Sequence, residues 1–295
     1  MRTTSRLSAR AVNRPPLPPR DGLGPARLRL QGGNVFDEFE RRFGSGAKVL
    51  AGEVVTASGS MVSADTSLPA GAHVFFYREL PDEVPVPFDI PVLYRDDDIV
   101  VVDKPHFLAT MPRGSHVAQT AVVRLRRALE LPELSPAHRL DRLTAGVLLF
   151  TVRREVRGAY QTLFSSGAVS KTYHAVAQGD PSCALPVLVR NRIVKRRGVF
   201  QASVEPGEPN ASTLVESLGN GRYRLTPHTG RTHQLRVHMC GLGVPILNDP
   251  LYPVVRDVAA DDFSSPLQLL AHSLEFVDPL SGRSRLFVSG RTLAG

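Results

Sequence analysis

His138-Arg139-Leu140-Asp141-Arg142-Leu143-Thr144-Ala145-Gly146-Val147-Leu148-Leu149-Phe150 runs from charged residues straight into apolar ones. The stretch from Val147 to Val152 is too short for most helices and apolar at nearly every position, which predicts a buried strand. The polar residues before it then lie on the loop that enters the strand, a common place for active-site groups. Asp141 is the one carboxylate in that loop. Arg139 and Arg142 flank it, and close cations keep an aspartate ionised and available as a nucleophile. An Arg-Leu-Asp-Arg cluster taken alone is more commonly a surface ion-pair network.

Working outward, the next helix follows from Val156, Ala159, Tyr160, Leu163 and Phe164 at helical spacing, with Gly167 as the stop. Val169 to Gln178 alternates, so Lys171, Tyr173, Ala175 and Ala177 share one strand face. Tyr173 is thereby placed to face a cleft beside Lys171. Tyr223 to Thr226 forms a further strand, and Leu235, His238, Met239 and Leu242 mark a helix with Thr232 as its expected N-cap. Arg231 then sits just outside that helix start. Gln268 to Phe276 and Arg285 to Val288 flank an Asp-Pro-Leu-Ser-Gly turn and predict an antiparallel pair.

On the other side, Ile99 to Val102 reads as a strand stopped by Pro105, and Ala118, Ala121, Val122, Leu125 and Leu129 as a helix with Arg124, Arg126 and Arg127 outside. Helices and strands mix irregularly, so the expected class is α+β with a large mixed sheet. Residues 1–27 hold six arginines and a Pro-rich run, and are read as a disordered basic arm. Residues 28–85 read as a small helix-plus-hairpin module, with a helix over Val35–Phe43 ended by Gly44. A linker over Pro81 to Pro87 leads into the larger domain, residues 86–295.

The 295 residues carry a formal net charge of +8, which suits a polyanionic partner. Only Lys48, Lys104, Lys171 and Lys195 are lysines, so the remaining basic residues are arginines, whose planar forks suit phosphate. The densest basic run is Arg190, Arg192, Lys195, Arg196 and Arg197, expected as a phosphate-contacting loop. Cys183 and Cys240 are far apart, and His233, His238 and Cys240 lack a completing carboxylate, so neither disulfide nor metal is expected. No apolar run approaches the roughly 20 residues of a membrane span, and a cytoplasmic, monomeric protein is expected.

From about Pro91 onward the chain resembles the RluA family of RNA pseudouridine synthases. The resemblance rests on Leu93 to Pro105, His138 to Phe150, Lys171-Thr172-Tyr173, and Gly230 to His238 leading to Asn248-Asp249-Pro250-Leu251-Tyr252. The family commonly has aspartate, threonine, serine where this chain has Leu143, Thr144, Ala145. The small module resembles a degraded alpha-L type RNA-binding module. The family resemblance implies the pseudouridine synthase fold, a mostly antiparallel sheet flanked by helices and loops, and isomerisation of uridine in RNA, ribosomal ahead of transfer RNA, without metal or cofactor. It implies Asp141 as nucleophile, Tyr173 stacked on the base and Arg231 paired with Asp141. Arg139, Arg142, Lys171, His233, Arg190, Arg192, Arg196 and Arg197 are then expected to contact substrate, with Arg139 helping to displace the base. A catalytically silent RNA-binding protein of the same fold is the competing reading, and a retaining glycosidase is disfavoured because no motif supplies a second carboxylate.

Overall fold

The computed structural model describes residues 15–80 and 82–294. The chain divides into two compact units at the Pro81/Asp82 junction. In the smaller, β1 (Ala26–Arg29), β2 (Gly33–Asn34), α1 (Val35–Phe43), α2 (Ala47–Leu50), β3 (Val55–Thr56), β4 (Ser67–Leu68) and β5 (His73–Phe76) follow one another. β1, β5 and β3 form an antiparallel sheet, and Phe39 of α1 packs with Val35, Val74 and Phe76 against it. Asn34 caps α1 by accepting from the Asp37 N–H, and Gly44 ends it in the left-handed conformation. The expected basic arm reaches outside the described residues as far as residue 14. From Pro15 on it is tied down: the Tyr77 hydroxyl donates to the Pro18 carbonyl, Arg20 lies over the Tyr77 ring, and Ala26 enters the core. Arm residues 15–27 are thus part of the small unit, because an aromatic ring and a sheet edge offer them partners.

The larger unit contains β6 (Val92–Arg95), β7 (Ile99–Lys104), α3 (Ala121–Ala128), β8 (Ser135–Pro136), β9 (Ala145–Thr151), α4 (Arg157–Ser165), β10 (Ser170–Val176), β11 (Val187–Val194), β12 (Ser203–Glu205), β13 (Ala211–Gly219), β14 (Arg222–Pro227), α5 (Gln234–Gly241), β15 (Leu269–Val277) and β16 (Ser284–Val288). The strands form one 11-stranded sheet in the order β12-β11-β13-β14-β10-β15-β9-β7-β6, with β16 on β15 and β8 on β9. Among the described residues, the β15–β9 pair is the only parallel strand pair in this sheet. Every residue of β9 is buried, as its apolar run requires, and β9 lies between β7 and β15. Gly146 has φ +115°, and a Cβ there would collide with the Ala271 carbonyl of β15. Glycine therefore lets the strand approach its parallel neighbour directly after the Asp141 loop.

One core packs α4 through Val156, Tyr160 and Leu163 onto Val147 and Leu149. The other packs α5 through Leu235 and Met239 onto Ala175, Val215, Tyr223 and Leu225. The unit boundary falls a few residues ahead of the expected 85/86 division. Glu83 is fixed to the larger unit, its carboxylate accepting from the N–H groups of Val117, Ala118 and Gln119. The basic outer face expected for α3 is also altered. Arg124 donates to the carbonyls of Val86 and Phe88, and Arg126 to that of Leu134, so two of its arginines serve as internal clamps.

Candidate active site

Three chain segments meet at a cleft of about 910 Å³: the His138–Asp141 loop, the end of α4 with Lys171 and Tyr173, and the run from Pro227 to Arg236. The sheet explains why they meet. β10 pairs with β14 and β15, and β15 pairs with β9, so the end of β14 and the entrance to β9 flank Tyr173.

The Asp141 loop is held from several directions. Thr110 donates its hydroxyl proton to the Leu140 carbonyl and accepts from the Leu140 N–H. His106 Nδ1 lies 2.7 Å from the Leu143 carbonyl, and the Thr144 N–H closes a turn onto the Asp141 carbonyl. Lys104 is fully buried and donates to the carbonyls of Pro105, Leu108 and Arg142 at 2.9, 2.7 and 3.3 Å. Burial pushes its ammonium down to about 7, against the pull of the Asp141 charge. His138 accepts the Leu149 N–H at Nε2 and stacks on Phe164, and burial drives it down to about 3. It is therefore neutral. Leu143 and Ala145, where the family commonly has polar residues, are buried in apolar clusters, and the side chains from residues 104–110 hold the loop.

Asp141 keeps about 29% of its side-chain surface open, and its Oδ2 lies 3.8 Å from Nη1 of Arg236. Arg236 is buried on α5 and grips Asp249 with both Nε and Nη2, at 2.7 and 2.6 Å. Burial opposes its charge, yet the Asp249 bonds, with Asp141 behind them, raise its pKa above the ordinary value. Asp249 Oδ1 also accepts from the N–H groups of Leu251 and Tyr252. The Tyr252 hydroxyl stands 2.9 Å from His233 Nδ1, which lines the cleft in a left-handed conformation at φ 60°. The chain Asp141, Arg236, Asp249, Tyr252, His233 is thus continuous. Burial lowers the His233 pKa, with Asp141 opposing. Burial first, and the Asp141 charge second, raise that of the Tyr173 hydroxyl. Lys171, beside it, is lowered by burial.

Residues 98–240 match the family model for RNA pseudouridylate synthase. The dual-specificity RNA pseudouridine synthase RluA of Escherichia coli K12 is 32% identical over 205 residues, covering 66% of this chain and 90% of that protein. The chain belongs to the RluA family of RNA pseudouridine synthases. Human pseudouridylate synthase RPUSD2 is 37% identical over 172 residues, 55% of this chain, and the chain spans 31% of that protein's length. The fold agrees with the solved structure of human RNA pseudouridylate synthase domain containing 1, at TM-score 0.54 over 69% of this chain and 84% of that one.

Of the residues expected from the family resemblance, Asp141, Tyr173, Arg139, Lys171, His233 and Arg231 all line the cleft. The expected Arg231–Asp141 pair is corrected: Arg231 is exposed and donates from Nε to the Asn210 carbonyl, and Arg236 takes its place. Arg236 lies within α5 on its buried side, whereas Arg231 precedes the helix on an exposed turn. Gln234 tethers the preceding turn, accepting from the Arg231 N–H and the Thr229 hydroxyl. Arg142 does not line the cleft; its carbonyl receives Lys104, and burial lowers the pKa of its guanidinium. The basic run is split rather than being one loop. Arg190 and Arg192 lie on β11, whereas Lys195, Arg196 and Arg197 follow at the turn toward β12. Arg236 and Asp249 were absent from the expected site; their signal was two charged residues on otherwise apolar, packed segments.

Proposed function

We propose that the chain converts uridine in structured RNA to pseudouridine, with Asp141 as nucleophile, and that ribosomal RNA is the preferred substrate over transfer RNA. The observation that carries this reading is the half-open Asp141 carboxylate in a cleft, backed by buried Arg236 and flanked by Tyr173. The reaction breaks the bond between N1 and ribose C1′, joins C1′ to C5, releases the C5 proton and leaves N1 protonated. Asp141, facing the Arg236 guanidinium at 3.8 Å, attacks either uracil C6 or ribose C1′, or assists departure to a glycal. Tyr173 offers a ring on which the uracil stacks, and its raised pKa keeps the hydroxyl protonated at neutral pH.

The target base must leave its stack before the glycosidic bond is accessible, which costs a few kcal/mol. Arg139, exposed at the cleft, and Lys171 within it supply cationic contacts that offset this. Lys195, Arg196 and Arg197, exposed at the turn before β12, add further cations outside the cleft. Cations beyond the cleft favour a large folded RNA over a small one. Incubating ribosomal and transfer RNA separately with the protein and with Asp141→Asn, then quantifying pseudouridine after digestion and chromatography, tests the reading. Pseudouridine is expected in ribosomal RNA with the wild type and at under about one percent of that level with the variant. Equal wild-type and variant yields, or none from either, reject it.

A further inference from the structure

The strand arginines that miss the cleft gather on the opposite face of the sheet. On β11, Asn191 turns toward α5 and bonds His238, so Arg190 and Arg192, its neighbours in the alternation, point away. On β14, Tyr223 and Leu225 are buried against α5, so Arg222 and Arg224 point away as well. Register places these residues on one continuous surface. Leu188 lies opposite Leu214, which lies opposite Thr226, and Arg190 lies one step of two residues beyond that row. From Arg222 to Arg192 the surface extends about 25–30 Å at roughly 3.4 Å per residue.

This face is open and positively charged. Arg190, Arg192 and Arg222 are exposed, and none of them enters an ion pair found among the described residues. Two of its nearby carboxylates are occupied: Glu216 lies 3.8 Å from Arg224, and Glu205 is taken by Arg196. The C-terminal segment covers the adjoining strand β10, where Leu293 packs on Val176, the cross-strand partner of Arg222, and on Leu270 of β15. The basic turn Lys195–Arg197 follows β11 near the sheet's edge, in the loop whose Ala202 bonds the Tyr252 hydroxyl that also meets His233 of the cleft. A polyanion leaving the cleft therefore meets cations around the edge and onto the far side.

We propose that the outer face of β11, β13 and β14 is a second RNA-binding surface, taking the phosphodiester backbone of a duplex that flanks the target loop. This rests on the proposed activity only in naming the RNA in the cleft as the same molecule. An extended strip of this kind suits the phosphate backbone of an A-form duplex, and arginine forks suit phosphate without reading sequence.

The test uses the full chain, a short uridine-bearing stem–loop, and the same stem–loop carrying a long duplex extension. Arg190→Ser/Arg222→Ser/Arg224→Ser is expected to bind the extended RNA about tenfold or more weakly and to flatten its log–log salt slope by roughly 2 to 3. Its affinity for the short stem–loop should stay within about twofold. Replacing the same three residues by lysine should restore the slope, which a merely structural defect would not. An unchanged slope on the extended RNA overturns the proposal and leaves an acidic protein as the partner to seek. Equal losses on both RNAs overturn it too, since the duplex would then not be the ligand. A flattened slope in a protein that makes no pseudouridine would retain the surface and reject only the activity.

Discussion

Arg236 stands between two aspartates, with Nη1 3.8 Å from Asp141 and its opposite edge clamped on Asp249 at 2.6 Å. Its position is set by Asp249, so the charge behind Asp141 does not depend on a flexible surface arginine. Arg236→Met leaves Asp249 buried and unpaired, which should cost roughly 3–5 kcal/mol. Activity should fall at least about 100-fold. Arg236→Lys keeps the charge but not the fork and should recover part of the stability. Arg231→Met, by contrast, should change stability by no more than about 0.5 kcal/mol. Urea unfolding with single-turnover assays separates these outcomes; equal effects at 231 and 236 would deny Arg236 its role.

Tyr173 gives a second contrast. Burial and the Asp141 charge hold its hydroxyl proton through neutral pH, so the ring, rather than a phenolate, is what it offers there. Tyr173→Phe should keep RNA affinity and retain activity within about tenfold. Tyr173→Ala should weaken binding by roughly 1–3 kcal/mol through lost stacking. If Phe is as impaired as Ala, the hydroxyl is required and the role moves to proton transfer.

Much of this was legible in the residues. The α1 boundaries follow from Asn34, the apolar spacing and Gly44, and β9 from its apolar run. Local chemistry determines such elements. Which arginine meets Asp141 was not legible, because it depends on where α5 starts and on Asp249, 13 residues away. Alternation alone puts Arg190 opposite Asn191, but only the packing of α5 on β13 and β14 tells which side carries the cleft. The buried Lys104 was hidden for a related reason: its acceptors include a carbonyl 38 residues on.

The attachment of Glu83 fixes where a shortened protein can begin. A chain starting at Asp82 keeps the carboxylate that accepts from Val117, Ala118 and Gln119. A start at Pro85 strips those three N–H groups of their acceptor at about 1–3 kcal/mol for each one left buried. Thermal melts should therefore rank the Asp82 start clearly above the Pro85 start. Identical melting temperatures would mean that water replaces the carboxylate.

Acid should unfold the larger unit through its histidines. Burial lowers His138 to about 3 and His106 and His238 to about 4, against an ordinary value of 6.5. Between about pH 6.5 and those values the unfolded chain binds protons that the folded chain refuses. Their contribution is therefore complete above pH 6.5 and drains away as pH falls toward 4 and then 3. Each such histidine steepens the loss by up to about 1.4 kcal/mol per pH unit. His138 is the informative one, because its Nε2 accepts the Leu149 N–H and so loses that bond on protonation. His138→Gln retains an acceptor without a titrating ring, and should lower stability at pH 7 through the lost Phe164 stack yet flatten the decline below pH 6.5. Urea midpoints measured from pH 7 to pH 4 decide it: curves that run parallel for wild type and variant would mean His138 takes no part in the acid transition.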